Sequence, residues 1–569
     1  MVTVLSVILT LLDFIAPGLA WIMVTGIAKR LSFLAQAAFS LLFSICFLSL
    51  LAASFSVLTA DYLFYAGLLP LGSLVFIAAH ILRADLRSLK PRVGKEGLPV
   101  MFILLIYCIV LLSSFWSAPF YPNTMTLDPV THVQIVASIL QGNGGSVLLR
   151  SDYPTGLHFA AAELASLTSL TAMQSIRTLL SLVVLAVFII AYESAHVTFG
   201  SKRSGILVAL VAAFAIPVDP TLLISLGLYA NLLADAIILM TIWGIFSYVT
   251  QPSRRLGVTL GFLALAGVFV HTSVLLFLGA VWIFAPIVYF LFRPKFCSYM
   301  KAALYLVSIL ALFAVILLPI YFARVQGYSE LGRPMTARIF AAAYLTLWIT
   351  FKLYGGTVAV GAVVASIILF ALHYRDHLGQ LLLTVWISVL MLGAFFSSEQ
   401  KNAPWRFALF ALVPGYLLVG SLFSYWSKLE EVSKTSKKIV QVVPIVALLI
   451  LIAAGPFWSL VARAYNPATR EREVAIVDSM QWLSQNGCAD GVVSVGLGFD
   501  YPYLPALTGV RYFGDYEEPA AAVLNQSYAL GFRCVAVSTQ DSYLSTFGSA
   551  SVFVQRYKNE FVVIFIIKH

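Results

Sequence analysis

Runs of about 20 apolar residues recur along the first four fifths of this chain, each long enough to cross a bilayer as a helix. Inside lipid every backbone amide and carbonyl needs an internal partner, so such runs fold as helices. Only 11% of the 569 residues are charged and 61% are hydrophobic, with mean hydropathy +0.94. A soluble protein averages about 25% charged residues. The length and repetition of the runs exclude a soluble domain with a large core. The expected class is an α-helical polytopic membrane protein.

Charge between the runs sets the expected topology. Apolar segments lie near 3–26, 31–55, 61–82 and 99–117. The first is too long for a signal-peptide core and lacks a basic leader, so no cleavable signal is expected. The connection Arg83–Gly97 holds Arg83, Arg87, Lys90, Arg92 and Lys95, and by the positive-inside rule it is cytoplasmic, with Lys29 and Arg30 on the same side. The net charge of +10 therefore follows from short basic loops and does not signal nucleic-acid binding.

The fourth segment then delivers a polar loop to the outside. The apolar stretch 153–170 is read as an interfacial helix, with the next span at Ile176–Thr198. That choice keeps Lys202, Arg203, Arg254, Arg255, Arg293–Lys301, Arg375 and Lys428–Lys438 cytoplasmic. Further spans are expected near 204–217, 222–249, 257–271, 273–292, 302–322, 356–373, 379–397, 404–425 and 439–461, with a second external skimming helix at 335–352. The total is about 14 helices, an even count that puts both termini outside.

After Tyr465 charge returns. Thr469–Gln485 is amphipathic, and GVVSVG, CVAVS, SVFVQRY and FVVIFII read as strands. The chain is thus divided into a membrane domain, 1–465, and a small extracytoplasmic α/β domain, 466–569. No GxGxxG or P-loop follows a strand, so no cofactor is assigned there. The five cysteines have no metal spacing. Cys46, Cys108 and Cys297 lie in or beside apolar runs. Cys488 and Cys534 each lie near the start of a predicted strand, and a disulfide between them is one hypothesis for an oxidising compartment. Asn525-Gln-Ser is an N-glycosylation sequon.

Chemistry concentrates in the polar stretch Tyr121–His158, inside an external loop at 118–175. Asp128 precedes Pro129 and a helical pattern, so it can cap that helix; its other reading is a general base beside a membrane-facing cavity. His132 lies four residues on, on the same helix face, and is either a snorkelling polar group or a functional one. Tyr153-Pro-Thr-Gly-Leu-His158 opens the next helix, which carries Glu163. A third external stretch, Ser397–Arg406, holds Glu399, Lys401 and Arg406 at a membrane boundary. Arg406 can snorkel or clamp a phosphate through its planar fork of donors. Asn231 and Asp235 stand one turn apart within a span, where polar groups are costly and face protein or water. His271 is at an external helix end, and Asp13 near another. HExxH, GxSxG and Walker motifs are absent, as are acid pairs with tight metal spacing.

A span ending outside, a loop with Asp128 and a helix, a helix opened by YPTGLH, and a span with Arg177 near its start together resemble the GT-C superfamily of integral membrane glycosyltransferases. The resemblance is best from about Phe115 to Pro217, then at the Arg406 turn and in the C-terminal domain. It implies a polyprenyl-phosphate-linked sugar donor, a glycan, lipid or protein acceptor, and Asp128 as catalytic acid residue, with His132 beside it. Donor contacts would come from Tyr153, His158, Arg177, His271, Glu399, Lys401 and Arg406, with Arg406 on the lipid phosphate. A divalent cation stays open. The chain departs from many members in having four apolar segments before the loop, and it lacks an adjacent-acid pair. It has no WWDYG-like motif, which argues against an oligosaccharyltransferase.

Two other classes compete. A transporter would use Asn231 and Asp235 as substrate or ion ligands, but no inverted repeat or matched pair of broken helices is visible. A noncatalytic membrane scaffold with a sensing domain is the third. The acid-bearing loop favours the enzyme.

Overall fold

The computed structural model describes residues 4–57, 128–143, 156–168, 170–215, 229–251, 253–271, 467–488, 490–497, 510–516 and 520–568, with short or single positions elsewhere between 72 and 420. Elements are numbered over these residues. The spans expected from 273 to 461 and those near 61–82 and 99–117 lie outside them, apart from such positions, as does the skimming helix at 335–352.

Helices α1 (Val4–Val24) and α2 (Phe33–Val57) form an antiparallel pair. Their approach is set by one small residue. A Cβ on Gly18 would collide with the Ser40 carbonyl, and the Gly18 amide donates to Ser44 Oγ at 2.9 Å. In lipid, where apolar burial alone does not drive helices together, such close backbone contact is what joins them. Trp21, Phe47 and Phe262 then pack as an aromatic knot, with ring centroids 4.5–5.4 Å apart, tying this pair to α8 (Arg254–Val270).

Two further helices surround the future site. These are α3 (Asp128–Ser138) and α4 (Gly156–Thr168). The span α5 (Ala172–Phe199) begins four residues before the expected Ile176, because Thr171 and Gln174 form a reciprocal capping box. Gly200 ends it in the left-handed conformation at φ 64°. Then come α6 (Lys202–Leu210), continued by a π turn over Val211–Ala215, and α7 (Tyr229–Thr250). Ser201 and Ser253 cap α6 and α8 through their hydroxyls. Among the described residues three helical stretches are long and apolar enough to cross a membrane: Phe33–Leu51, Ala172–Phe199 and Tyr229–Tyr248.

One end of this bundle is basic. The Arg30 guanidinium donates to the Ser247 and Gln251 carbonyls at the C-terminus of α7, the negative end of that helix dipole. Arg255 approaches Gly26. Ser32 at the start of α2 donates to the buried carboxylate of Glu193 near the end of α5. Lys29, Arg30, Lys202, Arg203, Arg254 and Arg255, assigned to one side by sequence, therefore converge on one end.

Helix α4, expected at the membrane interface, is enclosed by protein and buried at every position from Gly156 to Ala165. Its small residues, Gly156, Ala160, Ala161, Ala162 and Ala165, let it nest between α1, α2, α3 and α5. Ser49 Oγ of α2 lies 3.0 Å from the Gly156 carbonyl and anchors its first turn.

The C-terminal residues build helix α9 (Pro467–Gln485) and a five-stranded sheet of order β2-β1-β3-β5-β4. The four predicted strands are β1 (Val492–Val495), β3 (Cys534–Ser538), β4 (Phe553–Lys558) and β5 (Val562–Ile567). The unpredicted fifth, β2 (Tyr512–Tyr516), has no apolar alternation and pairs in parallel with β1 at the edge. β1 and β3 are parallel, buried and Val-rich, whereas β5 turns back antiparallel to both β3 and β4. Helices α10 (Ala520–Leu530) and α11 (Leu544–Ser549) complete the unit. A disulfide joins Cys488 to Cys534, with Cα atoms 5.8 Å apart. Cys46 is free and buried.

Candidate functional site

At the end of the bundle away from the basic residues, the polar stretch folds into helix starts. Asp128 is the first residue of α3 and Pro129 follows it, where a missing amide proton and a fixed φ suit a first turn. The Asp128 side chain lies outside the described residues. His132 is one turn further on, and the i to i+4 spacing sets both on one face. A π turn at Ile139–Asn143, with Gly142 at φ 85°, ends the segment.

His132 meets His158 from the start of α4. Nδ1 of His132 and Nε2 of His158 are 2.6 Å apart, and the two rings stack at 4.8 Å with planes 19° apart. Both residues are fully buried at 0% exposure. A hydrogen bond between two ring nitrogens needs one N–H and one bare nitrogen, so the pair holds a proton between them.

Tyr229, the first residue of α7, stacks on His132 at 4.8 Å and 30°. It is 6% exposed. Arg177, in the second turn of α5 and 8% exposed, lies within electrostatic reach of the Tyr229 hydroxyl. Thus His132, His158 and Arg177, three residues singled out by sequence, are drawn towards one another through a fourth that was not. Tyr229 sits in GLYANLLADAI as one more aromatic residue at a helix start, and nothing local marks it.

The remaining residues divide by position. Gly244 packs on Leu260 and Ile237 approaches Gly267, so α7 and α8 run antiparallel. That register sets buried His271, which ends α8 with its amide on the Gly267 carbonyl at 2.8 Å, level with the first turns of α7. Asn231 and Asp235 are buried, but the helical repeat puts them on a face of α7 turned away from Tyr229. Tyr153, Glu399, Lys401 and Arg406 lie outside the described residues. Among the described residues no group of three or more His, Cys, Asp or Glu side chains could hold a metal ion.

A second polar pair lies further along α4. Asp13 of α1 and Glu163 are both 2% exposed, and their carboxyl groups share a hydrogen bond. Two carboxyls can bond in this way only with a proton between them. Sequence spacing gives no sign of it, since 150 residues separate the partners.

No protein-family model and no curated protein sequence matches the chain. Among solved structures it is similar to ArnT from Cupriavidus metallidurans in the apo state, at 14% identity and TM-score 0.54, over 82% of this chain and 98% of that one. It is similar also to the same protein bound to undecaprenyl phosphate, at 12% identity and TM-score 0.53, over 83% and 98% of the two chains. At these identities the likeness concerns the fold: the chain has an ArnT-like fold.

Proposed function

We propose that this chain is a GT-C membrane glycosyltransferase that moves a sugar from a polyprenyl-phosphate donor to an extracytoplasmic glycan, lipid or protein. The observation that carries the reading is the buried His132–His158 pair, assembled from two helix starts one turn beyond Asp128. The ArnT-like fold and the undecaprenyl phosphate held by that neighbour support the donor class.

In this reading an acceptor hydroxyl attacks the anomeric carbon and Asp128 takes its proton. The bond from that carbon to the phosphate oxygen breaks, the polyprenyl phosphate leaves, and the centre inverts. Arg406, with Lys401, holds the phosphate and stabilises the charge gained on departure. Arg177, His271, Tyr153 and Glu399 complete the donor pocket, and His132 and His158 orient Asp128. The transferred group is a hexosyl or pentosyl unit.

Two observations support the orientation. The basic end of the bundle matches a cytoplasmic face, which supports an outside location for the histidine end. The Cys488–Cys534 disulfide fits an oxidising compartment for a separate domain at 466–569.

A second reading, a transporter, is favoured by one feature only: the buried Asn231 side-chain nitrogen has no hydrogen-bond partner among the described residues, one turn from Asp235. Turnover of radiolabelled polyprenyl-phosphate sugars by purified wild-type and Asp128→Asn proteins separates the two. Release of label by wild type alone supports the transferase. Equal turnover by both removes Asp128 as the base, and vesicle uptake of free substrate without donor consumption supports the transporter.

A further inference from the structure

We propose that Tyr229 is a positioning residue for the histidine pair. An imidazole turns about its Cβ–Cγ bond in a broad, roughly two-fold potential. Rotation out of its plane carries Nδ1 away from His158 and breaks the bond. A flat ring stacked 4.8 Å away restrains that rotation.

The chemistry requires such a restraint. Which nitrogen of a histidine carries the proton is set by the bond its other nitrogen makes. While Nδ1 of His132 stays on His158, the tautomer at His132 Nε2 is coupled to that at His158. Tyr229 belongs to α7, so His132 is flanked by a ring from a membrane span as well as by that of His158. The position of Tyr229 is in turn set by the packing of α7 on α5 and α8. Orientation of the loop histidines is therefore delegated to the first residue of a membrane span.

This role rests on the transferase reading only for its effect on rate, so the experiment has two independent arms. Full-length wild type, Tyr229→Phe and Tyr229→Leu are first treated with diethyl pyrocarbonate, and acylation of His132 and His158 is followed by peptide mass spectrometry. Wild type and the Phe variant acylate slowly, and the Leu variant several-fold faster at an unchanged unfolding temperature. In the second arm, donor turnover by the Leu variant falls in kcat by about 10²-fold, the cost of a misplacement near 1 Å. Its KM stays near wild type, and Phe restores kcat. Acylation of the Leu variant at the wild-type rate overturns the proposal whatever the activity. Wild-type acylation as proposed but with no turnover of any donor overturns the transferase reading alone. Should the Leu variant not be recovered folded, Tyr229→Met, of similar volume but without a flat ring, is read in the same way.

Discussion

His132 Nδ1 and His158 Nε2 lie 2.6 Å apart across 26 residues of sequence, in a place where neither ring touches solvent. Burying a lone imidazole between membrane helices is costly; burying two that satisfy each other is less so. The pair therefore acts as one unit, and its members are expected to fail together.

His132→Gln and His158→Gln each reduce turnover by about 10²-fold, within the range for loss of acid–base support. The double variant is hardly slower than either single one, because residues in one network do not add. Rates of the two singles and the double, measured on one donor, check this. A double variant slower by the product of the singles would mean that the histidines act separately.

Asp128→Asn keeps donor binding and loses turnover by about 10²- to 10⁴-fold, the usual contribution of a general base. Equilibrium binding of a polyprenyl-phosphate sugar, measured beside the rate, distinguishes lost chemistry from a lost pocket.

Gly18→Ala forces α1 from α2, since the new methyl meets a backbone carbonyl that cannot swing aside. Overpacking of this kind costs about 1–3 kcal/mol. Thermal unfolding in detergent should show a lower midpoint, whereas Gly72→Ala, whose new methyl meets nothing within 4 Å among the described residues, does not lower it.

Asp13→Ala leaves Glu163 buried without its partner and destabilises the fold by about 1–3 kcal/mol, whereas Asp13→Asn keeps a donor in place and costs less. The order of the two unfolding midpoints is the measurement. Equal midpoints would show that the carboxyl pair contributes nothing.

Removing the Cys488–Cys534 bond, by Cys→Ala at both positions, destabilises the C-terminal unit by about 2–4 kcal/mol. Non-reducing peptide mapping should recover the two cysteines as one cross-linked pair, with Cys46 labelled as a thiol only after unfolding.

The sequence by itself determined the elements whose signal is local. Apolar length marked α1, α2, α5 and α7, and runs such as CVAVS and FVVIFII marked strands, because one turn or one pleat of chain carries the pattern. It also placed Lys29, Arg30, Lys202, Arg203, Arg254 and Arg255 on one side, and separated α4 from the span that follows. Tertiary structure alone decided that α4 is wrapped by protein, that His132 bonds to His158, that Tyr229 stacks upon them, and that Asp13 meets Glu163. It also decided that a strand as poorly marked as Tyr512–Tyr516 is drawn into the sheet by β1. The reason is physical. Periodicity reports which way a side chain points from its own helix, whereas a ring contact depends on where another helix, distant in sequence, has been packed.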